Sequence, residues 1–124
     1  MSVFLFQEGS SAVYEVTLVS ELDAPIPDSQ FLTLTLTYYD VATGTVLNGR
    51  TAQNVLDANN VTVDAVNGLV TWTFQPADWA IVDPKLPAMH YERHRALFQW
   101  TWSSPVKYGV KLVDFLIQNI LFVP

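Results

Sequence analysis

The stretch from Arg93 to Trp102 places the strongest constraint on the fold of this chain. Read with a period of two, Ala96, Phe98, Trp100 and Trp102 fall on one side, and mostly polar residues fall on the other. Strict alternation of this kind is typical of a strand that is buried on one face. Its three aromatic side chains would each bury on the order of 150–250 Å². One sheet cannot cover that much apolar surface, so the sequence predicts a second layer packed across it.

The same alternation recurs along the chain. It is clearest over residues 31–39, where leucines alternate with threonines, and it is present over residues 12–19, 69–75 and 107–118. Residues 45–48 and 61–64 are predicted as shorter strands. Residues 3–6 are predicted as either an edge strand or an arm that docks on a neighbouring protein. Residues 49–60 are polar and rich in Asn and Asp, which indicates a loop.

Turn signals separate these segments and complete the predicted fold. The Asn67–Gly68 pair favours a tight turn, so the flanking strands are predicted to form a hairpin. Pro76 and Asp78 favour a single helical turn near residues 76–82 that carries the chain from one sheet to the other. The predicted fold is all-β, an antiparallel immunoglobulin-like β-sandwich of seven or eight strands. A small barrel or a jelly roll is the alternative.

Length and charge restrict the domain organisation and the partners. The 124 residues fit one domain, so we predict a single β-sandwich over residues 1–124, with residues 1–9 and 119–124 as candidate docking arms. The net charge of −6 disfavours nucleic acid and anionic membranes. No apolar run approaches the roughly 20 residues of a membrane span. The first residues lack the basic segment of a signal peptide.

The sequence predicts no catalytic set, no cofactor, no metal and no small-molecule substrate. It has no cysteine, no serine in a Gly-x-Ser-x-Gly frame and no phosphate-binding loop. His90 and His94 are four residues apart, but a nearby proline and the following strand argue against the helix on which they would share a metal. We therefore expect a protein that is not an enzyme.

The acidic residues are interpreted as structural. The spacing of those in the loops does not match a calcium-binding loop, so they are predicted to be solvated turn residues; these are Asp28, Asp40, Asp57 and Asp64. Asp78 is interpreted as a helix cap. Arg93 and Arg95, beside Glu92, are predicted to form a solvated or interface cluster.

The tryptophans are interpreted as core residues rather than as a sugar-binding platform. Trp72, Trp100 and Trp102 alternate with polar residues along predicted strands, and this pattern favours burial of the three rings. Trp79 and Trp102 lie near the ends of elements, and we expect them to be partly exposed.

Three motifs carry a resemblance to a known group of proteins. A strand ends in Tyr-Asp-x-x-Thr-Gly at residues 39–44, a Gly-x-x-Thr-Trp strand at 68–72 leads to Pro-x-Asp at 76–78, and an aromatic-rich strand follows. Over residues 12–118, the chain thereby resembles small β-sandwich proteins of tailed bacteriophages. The resemblance implies a structural protein of the virion, assembled in the bacterial cytoplasm. It implies a head decoration or cement protein or, alternatively, a neck, connector or tail component.

The leading hypothesis is a protein that packs on other virion subunits. Half of the residues are hydrophobic and only 15% are charged, which indicates apolar surface covered by a partner. The expected partners are the major capsid protein or neck and tail subunits, with further copies of this chain as additional candidates. The candidate contact residues are Val3, Phe4, Leu5, Phe6, Trp79, Ile120, Leu121, Phe122 and Val123. The alternative is a carbohydrate-binding or host-surface-binding module, which predicts two or more coplanar exposed aromatic rings.

Deletion of residues 120–124 tests the predicted anchor. We expect the truncated chain to fold but to lose assembly with its partners, because the deleted segment is apolar and follows the last predicted strand. Circular dichroism would report folding, and a particle-assembly assay would report binding. Normal assembly of the truncated chain would show that this segment is not an anchor.

Overall fold

A computed structural model describes residues 2–7, 13–17, 31–64, 68–78, 80–83, 85–87, 89–102 and 107–119. These residues form eight strands and a 3-10 turn at Pro76–Asp78. The strands are β1 (Ser2–Gln7), β2 (Val13–Thr17), β3 (Phe31–Asp40), β4 (Gln53–Asn54), β5 (Val61–Val63), β6 (Leu69–Thr73), β7 (Tyr91–Trp102) and β8 (Lys107–Gln118). None of the described segments forms a helix long and apolar enough to cross a membrane.

The strands form two sheets, and the predicted all-β sandwich is confirmed. The larger sheet has the order β1-β8-β7-β3-β4, and the smaller has the order β2-β6-β5. This order corresponds to the immunoglobulin-like arrangement, with β3, β7 and β8 in the places of strands C, F and G of one sheet, and β2, β6 and β5 in the places of B, E and D of the other. Most neighbouring strands are antiparallel, but β1 runs parallel to β8 along one edge. Residues 3–6 are therefore part of an edge strand.

Two local predictions were wrong, and one was too long. Residues 45–48 form only an isolated bridge between Val46 and Tyr39, because Asn48 and Gly49 adopt positive φ angles of 53° and 65° that end the extended conformation. The predicted loop over residues 49–60 contains the short strand β4. The helical turn ends at Asp78 rather than near residue 82. It does connect the smaller sheet to the larger one.

The core is a set of aromatic rings from both sheets, centred on Trp72 of β6. Its ring meets those of Tyr38, Phe115 and Phe98 edge to face, at centroid distances of 5.0, 5.6 and 6.0 Å. All four side chains are buried. Edge-to-face contacts add to the free energy gained from burial by about 0.5–1.5 kcal/mol per pair. Strands β3, β7 and β8 therefore each contribute a ring to the contact with the smaller sheet.

Strand β7 has the orientation that its alternation predicts. Ala96, Phe98, Trp100 and Trp102 are all buried. The prediction that Trp102 is partly exposed was wrong, because the last residue of β7 still faces the smaller sheet and is only 8% exposed. Gly109 of β8 lies opposite Trp100, and a methyl group at this glycine would overlap the indole ring. A glycine is thus required for Trp100 to pack at this end of the core.

A buried ion pair ties the loop after β3 to the 3-10 turn. Arg50 and Asp78 are both fully buried. The Arg50 guanidinium donates two hydrogen bonds to the Asp78 carboxylate, at 2.7 and 3.1 Å, and three more to Gln53 and to the carbonyl oxygen of Asn59. The guanidinium carbon also lies 5.3 Å from the centroid of the Trp72 ring. Asp78 accepts from the backbone N–H of Gln75 at 2.8 Å, so its predicted capping role describes only part of its contacts.

Replacement of Arg50 by Met tests the contribution of this pair. We expect the free energy of unfolding to fall by about 3–5 kcal/mol, because the Asp78 charge would remain buried without its partner. Urea denaturation would measure the loss. The matched control is Lys85→Met at an exposed position, which we expect to change the value by less than about 0.5 kcal/mol. A loss below about 1 kcal/mol for the Arg50 variant would mean that the pair behaves like one at the surface.

Candidate functional site

The outer face of the larger sheet carries exposed apolar side chains near the β1 edge. Tyr108, Val110 and Leu112 alternate along β8 and are 78%, 61% and 39% exposed. On β1, Leu5 is 61% exposed and pairs with Leu116, while Leu112 pairs with Leu97 of β7. We call this set the outer apolar surface; it consists of Leu5, Leu97, Tyr108, Val110, Leu112 and Leu116. Adjacent exposed apolar residues of this kind are typical of a protein-binding surface.

A charged cluster lies beside the outer apolar surface. Asp114 of β8 is fully buried and lies opposite Arg95. It accepts hydrogen bonds from Arg95 at 2.7 and 3.0 Å and another from Arg93. Burial by itself would raise the pKa of the Asp114 carboxyl, but the hydrogen bonds and charges of the two arginines outweigh it and hold the pKa below its ordinary value. Asp114 is therefore ionised at neutral pH, and its buried carboxylate is hydrogen-bonded to both arginines.

Arg93 and Arg95 form a partly exposed cluster, with 45% and 26% of their side chains accessible to solvent, but Glu92 is not part of it. Alternation along β7 places Arg93 and Arg95 on the outer face and Glu92 on the inner face. There Glu92 is buried together with His94, whose Nε2 lies 2.6 Å from Glu92 Oε1. The acidic partner of the two arginines is Asp114. This pairing could not be predicted, because Asp114 is distant in the sequence and the register of β7 and β8 was unknown.

A buried polar cluster occupies one end of the core, where β3 and β7 are paired. It consists of Tyr38, Asp40, Glu92 and His94. The Glu92 carboxylate accepts hydrogen bonds from the backbone N–H groups of Val82 and Asp83, at 2.7 and 2.9 Å. With a proton on Nε2, His94 keeps Nδ1 as an acceptor for the Tyr38 hydroxyl at 3.4 Å.

Tyr38 keeps its proton in this environment. Burial is the main cause that raises its pKa well above the ordinary value. The nearby carboxylates of Asp78 and Glu92 raise the pKa further, against the opposing effect of Arg50. The Tyr38 hydroxyl is therefore neutral and can both donate and accept a hydrogen bond beside His94.

Asp40 is less well satisfied than Glu92. Its Oδ2 accepts hydrogen bonds from the backbone N–H and the hydroxyl of Thr43, at 3.1 and 2.7 Å, so Asp40 does stabilise the predicted turn. Its Oδ1 is buried and accepts no hydrogen bond from any residue that the structure describes. Asp40 is only 2% exposed, so the prediction that it is a solvated turn residue was wrong.

The remaining turn acids and histidines occupy separate places. Asp57 is exposed and accepts a hydrogen bond from the backbone N–H of Val63 at 2.8 Å, and Asp64 is exposed; Asp28 lies outside the described residues. His90 is exposed whereas His94 is buried. Among the described residues, the histidine pair considered in the sequence does not form a common site.

A surface cavity of about 480 Å³ adjoins the buried polar cluster. Asp40 and Glu92 line it from the cluster side, and Val41, Val82 and Leu86 add apolar lining. The cavity lies between the turn that follows β3 and the segment that precedes β7. It therefore gives small solutes access to two buried carboxylates.

Only part of the predicted contact set lies within the described residues. Leu5 belongs to the outer apolar surface. Phe4 is 38% exposed, but its ring contacts Tyr14 and Phe115 at 5.2 and 6.0 Å, on the core side of the sheet. Outside the description are the side chains of Val3 and Phe6, together with Trp79, Ile120, Leu121, Phe122 and Val123.

No protein-family model and no curated protein matches this sequence. We therefore infer the function from the outer apolar surface and the two clusters of this structure.

The charged cluster predicts a specific pH dependence of stability. Because the pKa of Asp114 is lowered in the folded chain, its stabilising contribution is present above the ordinary aspartate pKa and is lost as the pH falls through the folded value. We expect Asp114→Asn to lower the free energy of unfolding at pH 7, and the difference from the wild type to shrink as the pH falls below about 4. Denaturant unfolding at several pH values measures this difference.

The control is Glu15→Gln, which removes an exposed carboxylate from β2. Its effect at pH 7 should be less than about 0.5 kcal/mol. An Asp114→Asn effect that stays constant between neutral and acidic pH would contradict the assigned ion pairs.

Proposed function

We propose that this chain is a structural protein of a tailed-bacteriophage virion, and specifically a head decoration or cement protein that packs on capsid subunits. A neck, connector or tail component is the alternative location. The outer apolar surface is the single observation that carries the proposal. It places exposed apolar side chains on one face of a small sandwich, and such a face suits binding to another protein.

The distribution of residues over the outer face supports this role. The β3 part of the face carries Thr33, Thr35 and Thr37, which are at least partly exposed and suit contact with water. The β8 and β1 part carries tyrosine, valine and leucine instead. A face that is polar at one side and apolar at the other is expected where a partner covers only the apolar side.

The edge of the larger sheet offers a second kind of contact. Strand β1 ends this sheet and is paired with β8 on one side. An edge strand can extend the sheet of another protein through its free backbone groups. A shell with many equivalent positions would then combine weak individual contacts by multivalency. The charged cluster of Arg93, Arg95 and Asp114 would add polar contacts beside the apolar ones.

The sugar-binding alternative has less support in the described residues. The exposed tyrosines Tyr91 and Tyr108 both lie on the outer face, but at opposite ends of the β7–β8 pair. Tyr108 pairs with Thr101, ten residues along β7 from Tyr91, which corresponds to roughly 33 Å. Two rings at that distance do not form one platform for a sugar. Trp72, Trp100 and Trp102 are buried.

A double variant, Tyr108→Asp with Val110→Asp, tests the proposal. Both positions are exposed, so the chain should still fold, but charges on the outer apolar surface should reduce its incorporation into virions by on the order of tenfold or more. The measurement is complementation of a phage that lacks this gene, followed by mass spectrometry of purified particles.

The matched control is Val13→Asp, which places a charge at an exposed valine of the smaller sheet and should leave incorporation unchanged. Absence of the wild-type chain from purified particles would contradict a virion role. Normal incorporation of the double variant would show that another surface makes the contact.

A further inference from the structure

We propose that Asp40, Glu92 and His94 bind one divalent first-row transition-metal ion, with Zn²⁺ as the probe. This inference is independent of the proposed virion role, and it reverses the expectation from the sequence that the chain has no metal site. Two carboxylates and one imidazole are oxygen and nitrogen ligands that such ions accept. All three residues are buried, so the cluster differs from a group of solvated surface acids.

The geometry requires only small movements. One ligand atom from each residue lies within 4.8 Å of the other two. Three atoms at such separations lie at most about 2.8 Å from a common centre, so shifts of up to about 0.7 Å bring the more distant ligands to the Zn–ligand distance of about 2.1 Å. The 2.6 Å contact between His94 Nε2 and Glu92 Oε1 would open to admit the ion. Strands β3 and β7 hold the ligands in register, because Asp40 pairs directly with His94.

The unpartnered oxygen of Asp40 is a second observation that supports a cation site. Asp40 Oδ1 is buried and accepts no hydrogen bond from the described part of the chain, although a buried carboxylate oxygen is costly without a partner. The carboxyl group of Glu92 lies within the same cluster. A dication would supply the partner of Asp40 Oδ1 and would take Glu92 as a second oxygen ligand.

The surroundings of His94 fit a metal ligand. A ligating imidazole usually donates a hydrogen bond from its other nitrogen, which fixes its orientation. If Nε2 binds the ion, Nδ1–H can donate to the neutral Tyr38 hydroxyl, which is 3.4 Å away. On binding, the proton of the neutral imidazole would pass from Nε2 to Nδ1 through solvent, a change of tautomer.

The cavity beside the cluster gives the ion a route of entry. Asp40 and Glu92 both line it, so an ion held by them would keep open coordination positions towards solvent. Glu92 also accepts hydrogen bonds from the backbone of Val82 and Asp83. A bound ion would therefore link the turn after β3, through Asp40, to the segment before β7, through Glu92.

Calorimetric titration of the untagged full chain with Zn²⁺ tests the proposal. We expect one ion to bind per chain. Loss of an outer-shell partner typically weakens metal binding by about 10–100-fold. We expect Asp40→Asn and His94→Gln, which each remove a ligand, to weaken binding by more than that. Tyr38→Phe should weaken it within that range. The matched control is His90→Gln, which removes the exposed histidine and should leave the affinity unchanged.

A second measurement on the wild type does not depend on the folding of any variant. Nitrogen NMR of the histidine rings should show a Zn²⁺-dependent shift at Nε2 of His94, with the ring of His90 unaffected. No binding by the wild type, equal affinity in folded Asp40→Asn, or a shift confined to His90 would each overturn the proposal. None of these results would contradict the proposed virion role, because that role depends on the outer apolar surface and not on metal binding.

Discussion

Burial of Trp72 between the two sheets is the packing constraint on which the rest of this structure depends. The indole meets rings from β3, β7 and β8, so it fixes which face of each strand points inward. Arg50 lies beside the same ring and, being fully buried, requires the carboxylate of Asp78. The loop after β3 and the turn after β6 are therefore joined by an ion pair beside this tryptophan.

This constraint also determines the two candidate sites. Once Phe98 and Trp100 point into the core, alternation places Glu92 and His94 on the inner face and Arg93 and Arg95 on the outer face. Strand β7 thus contributes Glu92 and His94 to the buried polar cluster, and Arg93 and Arg95 to the charged cluster beside the outer apolar surface. The buried polar cluster and the outer apolar surface lie on opposite faces of one sheet, and Arg93 of the charged cluster also lines the cavity beside Asp40.

The parts of the fold that depend on local pattern could be predicted from the sequence. The long strands around Leu34, Phe98 and Phe115 follow from period-two alternation alone. Strand pairing is non-local, so the parallel edge pair and the contacts of Arg50 and Asp114 could not be predicted. Arg50 lies in a stretch that reads as a polar loop, and its partner lies 28 residues away. One signal was present for the buried polar cluster: Glu92 and His94 have the same parity as Ala96 and Phe98, which indicates the inner face.

A cryo-electron microscopy reconstruction of the assembled particle would show directly whether another virion subunit covers the outer apolar surface. We predict that the outer apolar surface lies against another virion subunit, with Tyr108 and Val110 in the contact and the threonines of β3 nearer to solvent. A particle in which this chain is present but its β8 face is open to water would contradict the account.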